Sequence, residues 1–131
     1  MSPTVYLSAK ISLSILWVFT GVTSLVFAKD TGIEILLKGG FTLPLAETAL
    51  HAGAMLDIGI GVWVLTHVRL TTCYWAQLIV IATYTVLLSF IDPEFWLHPF
   101  GPVTKNFPIM VLIYLMCVHE ASLAEKHEAA T

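Results

Sequence analysis

The sequence predicts an all-α integral membrane protein, a bundle of four transmembrane helices with two longer loops on one membrane face. Of its 131 residues, 57% are hydrophobic and only 11% are charged, whereas an ordinary soluble domain is about 25% charged. A chain this short has too much surface to hide that apolar content inside a water-soluble core. Four apolar runs also approach the ~20 residues that a membrane-spanning helix needs, and they lack the alternation of barrel strands.

The same composition excludes several other classes of protein. Intrinsic disorder requires low hydrophobicity and high charge, which is the opposite of what is present. The chain has six basic and nine acidic residues without a basic patch, so we expect no nucleic-acid partner. Cys73 and Cys117 each lie inside an apolar run, so we interpret both as buried thiols.

The four spans and their limits follow from the charges and prolines between the runs. We place the spans at 6–28, 44–67, 71–91 and 103–119, followed by a polar tail over 120–131, in a single transmembrane domain. An alternative for the first run is a signal peptide, because Lys10 precedes the apolar core and Val26-Phe27-Ala28 resembles a cleavage site. The third span carries no charge. The fourth span is short and includes Lys105, whose aliphatic stem would lie along the apolar helix while its ammonium reaches water.

Two polar connections separate these spans. In the first, Ile33, Leu36 and Leu37 are at helical spacing, which predicts a short interfacial helix that ends at Gly39-Gly40. The second, residues 92–106, contains three prolines and a glycine, which exclude regular helix. Basic residues are equally distributed between the two faces, but the shortest loop carries Arg69, so we expect both termini in the cytoplasm.

The predicted topology gathers polar residues at the membrane face that holds these two loops. Glu47 and His51 share one face of the second span, and the second loop brings further polar groups. The pattern is typical of a pocket for a headgroup, a quinone carbonyl or a metal, for which Glu47, His51 and His98 are weak candidate ligands. The alternative is a hydrogen-bonded lock that positions the loop. The full set is Glu47, His51, Asp92, Glu94, His98, Lys105 and Asn106.

Asp57 lies about 15 Å deeper than Glu47 along the same helix, near the bilayer midplane. An ionised carboxylate there costs several kcal/mol, so the group should face the bundle. We interpret it as a proton-handling or ligand-binding residue, or as a protonated carboxyl bonded to the first span. There a stripe of Ser14, Trp17, Gly21 and Ser24 is expected to pack on Gly53, Asp57 and Gly61. Trp17 needs an acceptor for its indole N–H, and Asp57 is a candidate.

His67 and His119 lie toward the opposite face at similar predicted depth, but both are at helix ends. A haem site would need histidines of matched depth inside two helices. We therefore interpret these residues as solvated interfacial histidines rather than haem ligands.

Three segments together resemble a known family. His98-Pro99-Phe100-Gly101-Pro102 followed by Lys105-Asn106 and an apolar helix is similar to the hallmark of DoxX-like small membrane proteins. Leu16-Trp17 with Gly21 resembles that family's first helix, and Gly53 to Leu65 with Asp57 resembles its second. The resemblance covers residues 13–115, although Thr20 stands where the family often has an acidic residue.

The resemblance implies a four-helix membrane bundle, and related proteins include a subunit of a thiosulfate:quinone oxidoreductase. We therefore predict an accessory redox component of a bacterial inner membrane, not a stand-alone enzyme, that binds a lipophilic small molecule such as a quinone. The alternative is a structural or assembly subunit of a membrane complex or homo-oligomer, with the charge-free third span as its partner face. The predicted ligand-binding residues are Trp17, Glu47, His51, Asp57, His98, Lys105 and Asn106.

Overall fold

The computed structural model describes residues 1–99 and 101–131, and within them every regular element is helical. Phe100, which belongs to the family-like motif, lies outside the described residues. The helices are α1 (Pro3–Val26), α2 (Lys29–Lys38), α3 (Leu43–Leu65), α4 (Leu70–Ile91), a 3-10 helix (Pro93–Trp96) and α5 (Asn106–Ala130).

Four of these helices, α1, α3, α4 and α5, are long and apolar enough to cross a membrane. This confirms the prediction of an all-α membrane protein. The residues predicted as a polar tail continue α5 as helix to Ala130. With 25 residues, α5 is about 37 Å long, which exceeds the ~30 Å hydrocarbon core of a bilayer.

The short helix predicted after the first span is α2, and the glycines end it as expected. The N–H of Gly39 bonds back to the carbonyls of Ile35 and Leu36. Gly40 follows with φ at +90°, a left-handed conformation that glycine adopts without steric cost. Pro44 then lies in the first turn of α3, where its missing N–H is not needed.

The second polar connection begins where α4 ends at Ile91. Its described residues form no α-helix before Asn106, but they do contain the 3-10 helix, which opens at Pro93. The side chain of Asp92 accepts a hydrogen bond from the N–H of Glu94 at 3.2 Å. Proline at the first position and a capping aspartate explain why a short helical turn forms in this segment.

The chain divides into two compact units. The N-terminal unit, Leu7–Thr66, contains most of α1 together with α2 and α3. The C-terminal unit combines Met1–Tyr6 with His67–Thr131 and contains α4, the 3-10 helix and α5. Large apolar side chains remain exposed on both units, such as Phe19 at 69% and Phe90 at 84%, and helices surrounded by lipid are expected to expose such residues.

Candidate functional site

In the N-terminal unit, α1 and α3 approach each other closely at two glycines. A Cβ atom built on Gly21 would lie 2.7 Å from the carbonyl oxygen of Ala54. One built on Gly61 would lie 2.6 Å from Val18 Cγ2 and 3.0 Å from the carbonyl oxygen of Ser14. The two backbones are therefore nearly in contact, as the small residues on these helix faces predict.

Two hydrogen bonds fix the register of this pair. The Lys10 ammonium donates to the carbonyl oxygen of Thr66 at 3.3 Å. The Ser14 hydroxyl donates to the carbonyl oxygen of Gly61 at 2.7 Å. From the first pair to the second, the residue number rises on α1 and falls on α3, so the two helices are antiparallel.

This register places Trp17 and Asp57 at the same level, between the two glycine contacts. Each of these side chains is only 4% exposed. Lys10 is also 4% exposed and Ser14 6%. We call Lys10, Ser14, Trp17 and Asp57 the polar seam, a buried row of polar groups within otherwise apolar helices.

The predicted packing faces are correct in part. Ser14, Trp17 and Gly21 are buried on α1, but Ser24 is half-buried and bonds to the Thr20 carbonyl of its own helix. On α3, Gly53 is half-buried, and its neighbour Ala54 faces Gly21 instead. The rotation of α3 explains this difference. Ala54 lies three residues before Asp57 and Gly61 lies four residues after it, so all three share one helix face, and Gly53 lies beside that face.

Lys10 was not predicted as a seam residue, because in the sequence it stands just before the apolar core of the first span. The helix begins seven residues earlier, at Pro3, so Lys10 lies two turns inside α1. Its ammonium bonds at the C-terminal end of α3, where the helix dipole favours a positive charge. A proline near the chain start, which is a common first helical residue, is the signal that could have revealed this.

Glu47 and His51 lie in the first turns of α3, and both side chains are exposed. The Nδ1 atom of His51 is 2.7 Å from the carbonyl oxygen of Glu47. A carbonyl only accepts hydrogen bonds, so Nδ1 must carry the hydrogen. In the neutral imidazole Nε2 is then an acceptor, which could receive a hydrogen bond from a ligand hydroxyl.

In the C-terminal unit, hydrogen bonds fasten the second polar connection to α4. The Asn106 amide nitrogen donates to the Thr85 hydroxyl at 2.9 Å. The Trp96 indole donates to the Ser89 hydroxyl at 2.8 Å, and the Ser89 hydroxyl donates to the Thr85 carbonyl. The hydrogen bond from Asn106 to α4 is the kind of contact expected if polar residues hold this loop in position.

His98 and Lys105, the other predicted ligand residues of this unit, have exposed side chains. Glu47, His51, Trp17 and Asp57 belong to the N-terminal unit, so the complete predicted pocket draws on both units and stays a prediction. Among residues 1–99 and 101–131, no group of three or more His, Cys, Asp or Glu side chains is placed to hold a metal ion.

A second polar cluster, in the C-terminal unit, was not predicted from the sequence. The Tyr6 hydroxyl lies 2.8 Å from the Tyr74 hydroxyl and donates to Glu120 Oε2 at 2.6 Å. The predicted topology assigns the start of the first span, the start of the third and the end of the fourth to one membrane face. The shared membrane face of these three polar residues is the signal in the sequence that points to the cluster.

In a comparison with known protein families, the matched region extends from α1 into α5. Residues 14–114 match the family model described as DoxX-like. No curated protein and no solved structure matches the chain. The matched region contains Trp17, Asp57, His98 and Lys105 but not Lys10 or Glu120.

Proposed function

Since the chain belongs to the DoxX-like family, we propose that it is an accessory membrane redox component that binds a lipophilic small molecule such as a quinone. The observation that supports this proposal is the burial of Asp57, 4% exposed, in a helix apolar enough to span a bilayer. Ionisable residues inside membrane spans are costly to keep, and their usual role is to handle protons or ligands.

A quinone suits the chemistry of the N-terminal unit. Its carbonyl oxygens accept hydrogen bonds from donors such as a protonated carboxyl or an indole N–H, and its tail is compatible with apolar walls. We assign Trp17 and Asp57 to the deeper part of the site and Glu47 and His51 to its headgroup end. Quinone reduction takes up protons, and a buried carboxyl such as Asp57 is a group that can transfer one.

The test is a titration of the protein in lipid nanodiscs with a short-chain quinone, followed by quenching of tryptophan fluorescence. The chain has four tryptophans. The difference in quenching between wild type and Trp17→Phe therefore gives the part that comes from Trp17 in the polar seam. We expect saturable binding that Asp57→Asn weakens about tenfold, which corresponds to ~1.4 kcal/mol.

The matched control is Asp30→Asn, which removes a carboxylate from an exposed position on α2 and should leave binding unchanged. Quenching that rises linearly without saturation would mean that the quinone only partitions into lipid. That result, or equal affinity in wild type and Asp57→Asn, contradicts the proposal.

A structural or assembly subunit is the second candidate, and α4 is the element that favours it. This helix carries no charged residue, and it exposes Trp75 at 51% and Ile79 at 63%. Purification in mild detergent as a stable larger complex, with no quinone bound, would support this alternative over the first.

We further propose that the protein resides in a bacterial inner membrane with both termini in the cytoplasm. Lys and Arg in short loops favour the cytoplasmic side, and Arg69 lies in the short connection between α3 and α4. A phosphatase fused after Thr131 should be inactive, because this reporter works only outside the cytoplasm. An active fusion would show that the C-terminus lies outside the cytoplasm, which is the opposite of the proposed orientation.

A further inference from the structure

Three side chains in the C-terminal unit form a continuous row of hydrogen bonds. Tyr74 is fully buried, at 0% exposure, and its hydroxyl is 2.8 Å from that of Tyr6. Tyr6 donates in turn to Glu120 Oε2 at 2.6 Å. Tyr6 and Glu120 are half-buried, so the row leads from a buried phenol to a partly accessible carboxylate.

The direction of both bonds follows from counting hydrogens. A phenol has a single O–H hydrogen, and that of Tyr6 is given to Glu120. The bond between the two phenols must then be donated by Tyr74. If Glu120 takes up a proton at Oε2, the new O–H donates to Tyr6, and the hydrogen of Tyr6 turns toward Tyr74.

We propose that Glu120, Tyr6 and Tyr74 form a proton-binding site in which uptake at Glu120 is transmitted to the buried Tyr74 by reversal of both hydrogen bonds. The ligand is a single proton, one O–H bond forms at Glu120, and no oxidant or reductant is needed. Protonation turns Tyr74 from a donor to Tyr6 into an acceptor from it, and the O–H hydrogen of Tyr74 rotates away from Tyr6. The site is distinct from the polar seam and does not depend on quinone binding.

Other titratable groups surround the row. On α5, the His119 ring lies 4.9 Å from the Tyr6 ring, measured between centroids. The buried thiols of Cys73 on α4 and Cys117 on α5 lie near Tyr74. His119 is not a member of the row, so His119→Gln should leave the responses of Glu120 and Tyr74 coupled to each other.

The test is infrared difference spectroscopy of the full chain in lipid across a pH titration. In wild type, a carboxylic-acid carbonyl band and a shift of tyrosine C–O bands should develop with the same midpoint. Glu120→Gln should remove the part of the carboxylic-acid band that comes from Glu120 and should abolish the tyrosine shift that accompanies it. Tyr74→Phe should retain the carboxylic-acid band and lose the Tyr74 part of the tyrosine shift.

The matched controls are Glu125→Gln and Tyr114→Phe, which alter exposed residues of α5 and should preserve the coupled response. If Glu120→Gln fails to fold by circular dichroism, Tyr6→Phe serves instead, because it interrupts the row while keeping the carboxyl group. It should eliminate the Tyr74 response and leave the carboxylic-acid band. Tyrosine bands that stay constant through the Glu120 titration, or that shift equally in Glu120→Gln or Tyr6→Phe, would overturn the proposal.

Discussion

Replacing Gly21 by alanine should destabilise the N-terminal unit, although alanine is the better helix former. The new Cβ would lie 2.7 Å from the Ala54 carbonyl oxygen, 2.7 Å from Ile58 Cγ1 and 3.2 Å from the Ile58 nitrogen. Two of these three atoms belong to the backbone of α3 and cannot rotate away. The contact can be relieved only if α1 moves away from α3.

The expected loss follows from opposing contributions. Overpacking a close contact costs about 1–3 kcal/mol, whereas the change from glycine to alanine favours the helix by about 1 kcal/mol. Separation of the helices would also lengthen the 2.7 Å bond from Ser14 to Gly61, and hydrogen bonds between membrane helices contribute about 0.6 kcal/mol on average. The net loss is about 1–2 kcal/mol, or a factor of roughly 5–30 in the folding equilibrium.

The assay is reversible unfolding in mixed detergent micelles with increasing SDS, followed by circular dichroism. Gly59→Ala is the control, because it makes the same substitution on the partner helix α3, where a Cβ at Gly59 meets no atom within 4 Å. We expect Gly59→Ala to be neutral or slightly stabilising. If Gly21→Ala is as stable as Gly59→Ala, the reasoning about a backbone contact between α1 and α3 is wrong.

Three further predictions use the same unfolding assay. Ser14→Ala should cost about 1 kcal/mol because it removes the bond to the Gly61 carbonyl, whereas Ser24→Ala, whose hydroxyl bonds only to its own helix, should change stability little. Lys10→Met should lower the free energy of unfolding by about 1 kcal/mol, because it removes the cation at the C-terminal end of α3. If Lys10→Met is as stable as wild type, this contact is not formed. Trp96→Phe should lower the free energy of unfolding by about 1 kcal/mol, because the indole bond to Ser89 is lost. It should also speed proteolysis in the segment that follows α4. Unchanged cleavage would argue against a hydrogen-bonded lock on this loop.

The sequence was sufficient to predict the elements of this fold because the bilayer allows few alternatives. A helix that spans it must be apolar for about 20 residues, so charges and prolines mark its ends. Asp92-Pro93 ended α4 as expected, and Gly39-Gly40 ended α2. The spacing of Ser14, Trp17 and Gly21 likewise predicted the buried face of α1.

The details of the site were less predictable because they depend on helix rotation and on distant segments. Gly53 and Ala54 are both small, and only the rotation of α3 decides that Ala54 faces Gly21. The bonds of Tyr6 to Tyr74 and Glu120 join residues 68 and 114 positions apart. No local periodicity marks such a contact, since each residue taken alone fits a lipid-facing or interfacial position.

Mass spectrometry of the lipids that stay bound when the protein is extracted from its native membrane tests the proposed quinone binding without an added ligand. We expect a quinone in near-stoichiometric amount, enriched over the surrounding phospholipid. Asp57→Asn should lose most of that enrichment, and Asp30→Asn should keep it. If the wild-type protein instead carries quinone and phospholipid in the ratio of the bulk membrane, it does not bind quinone specifically.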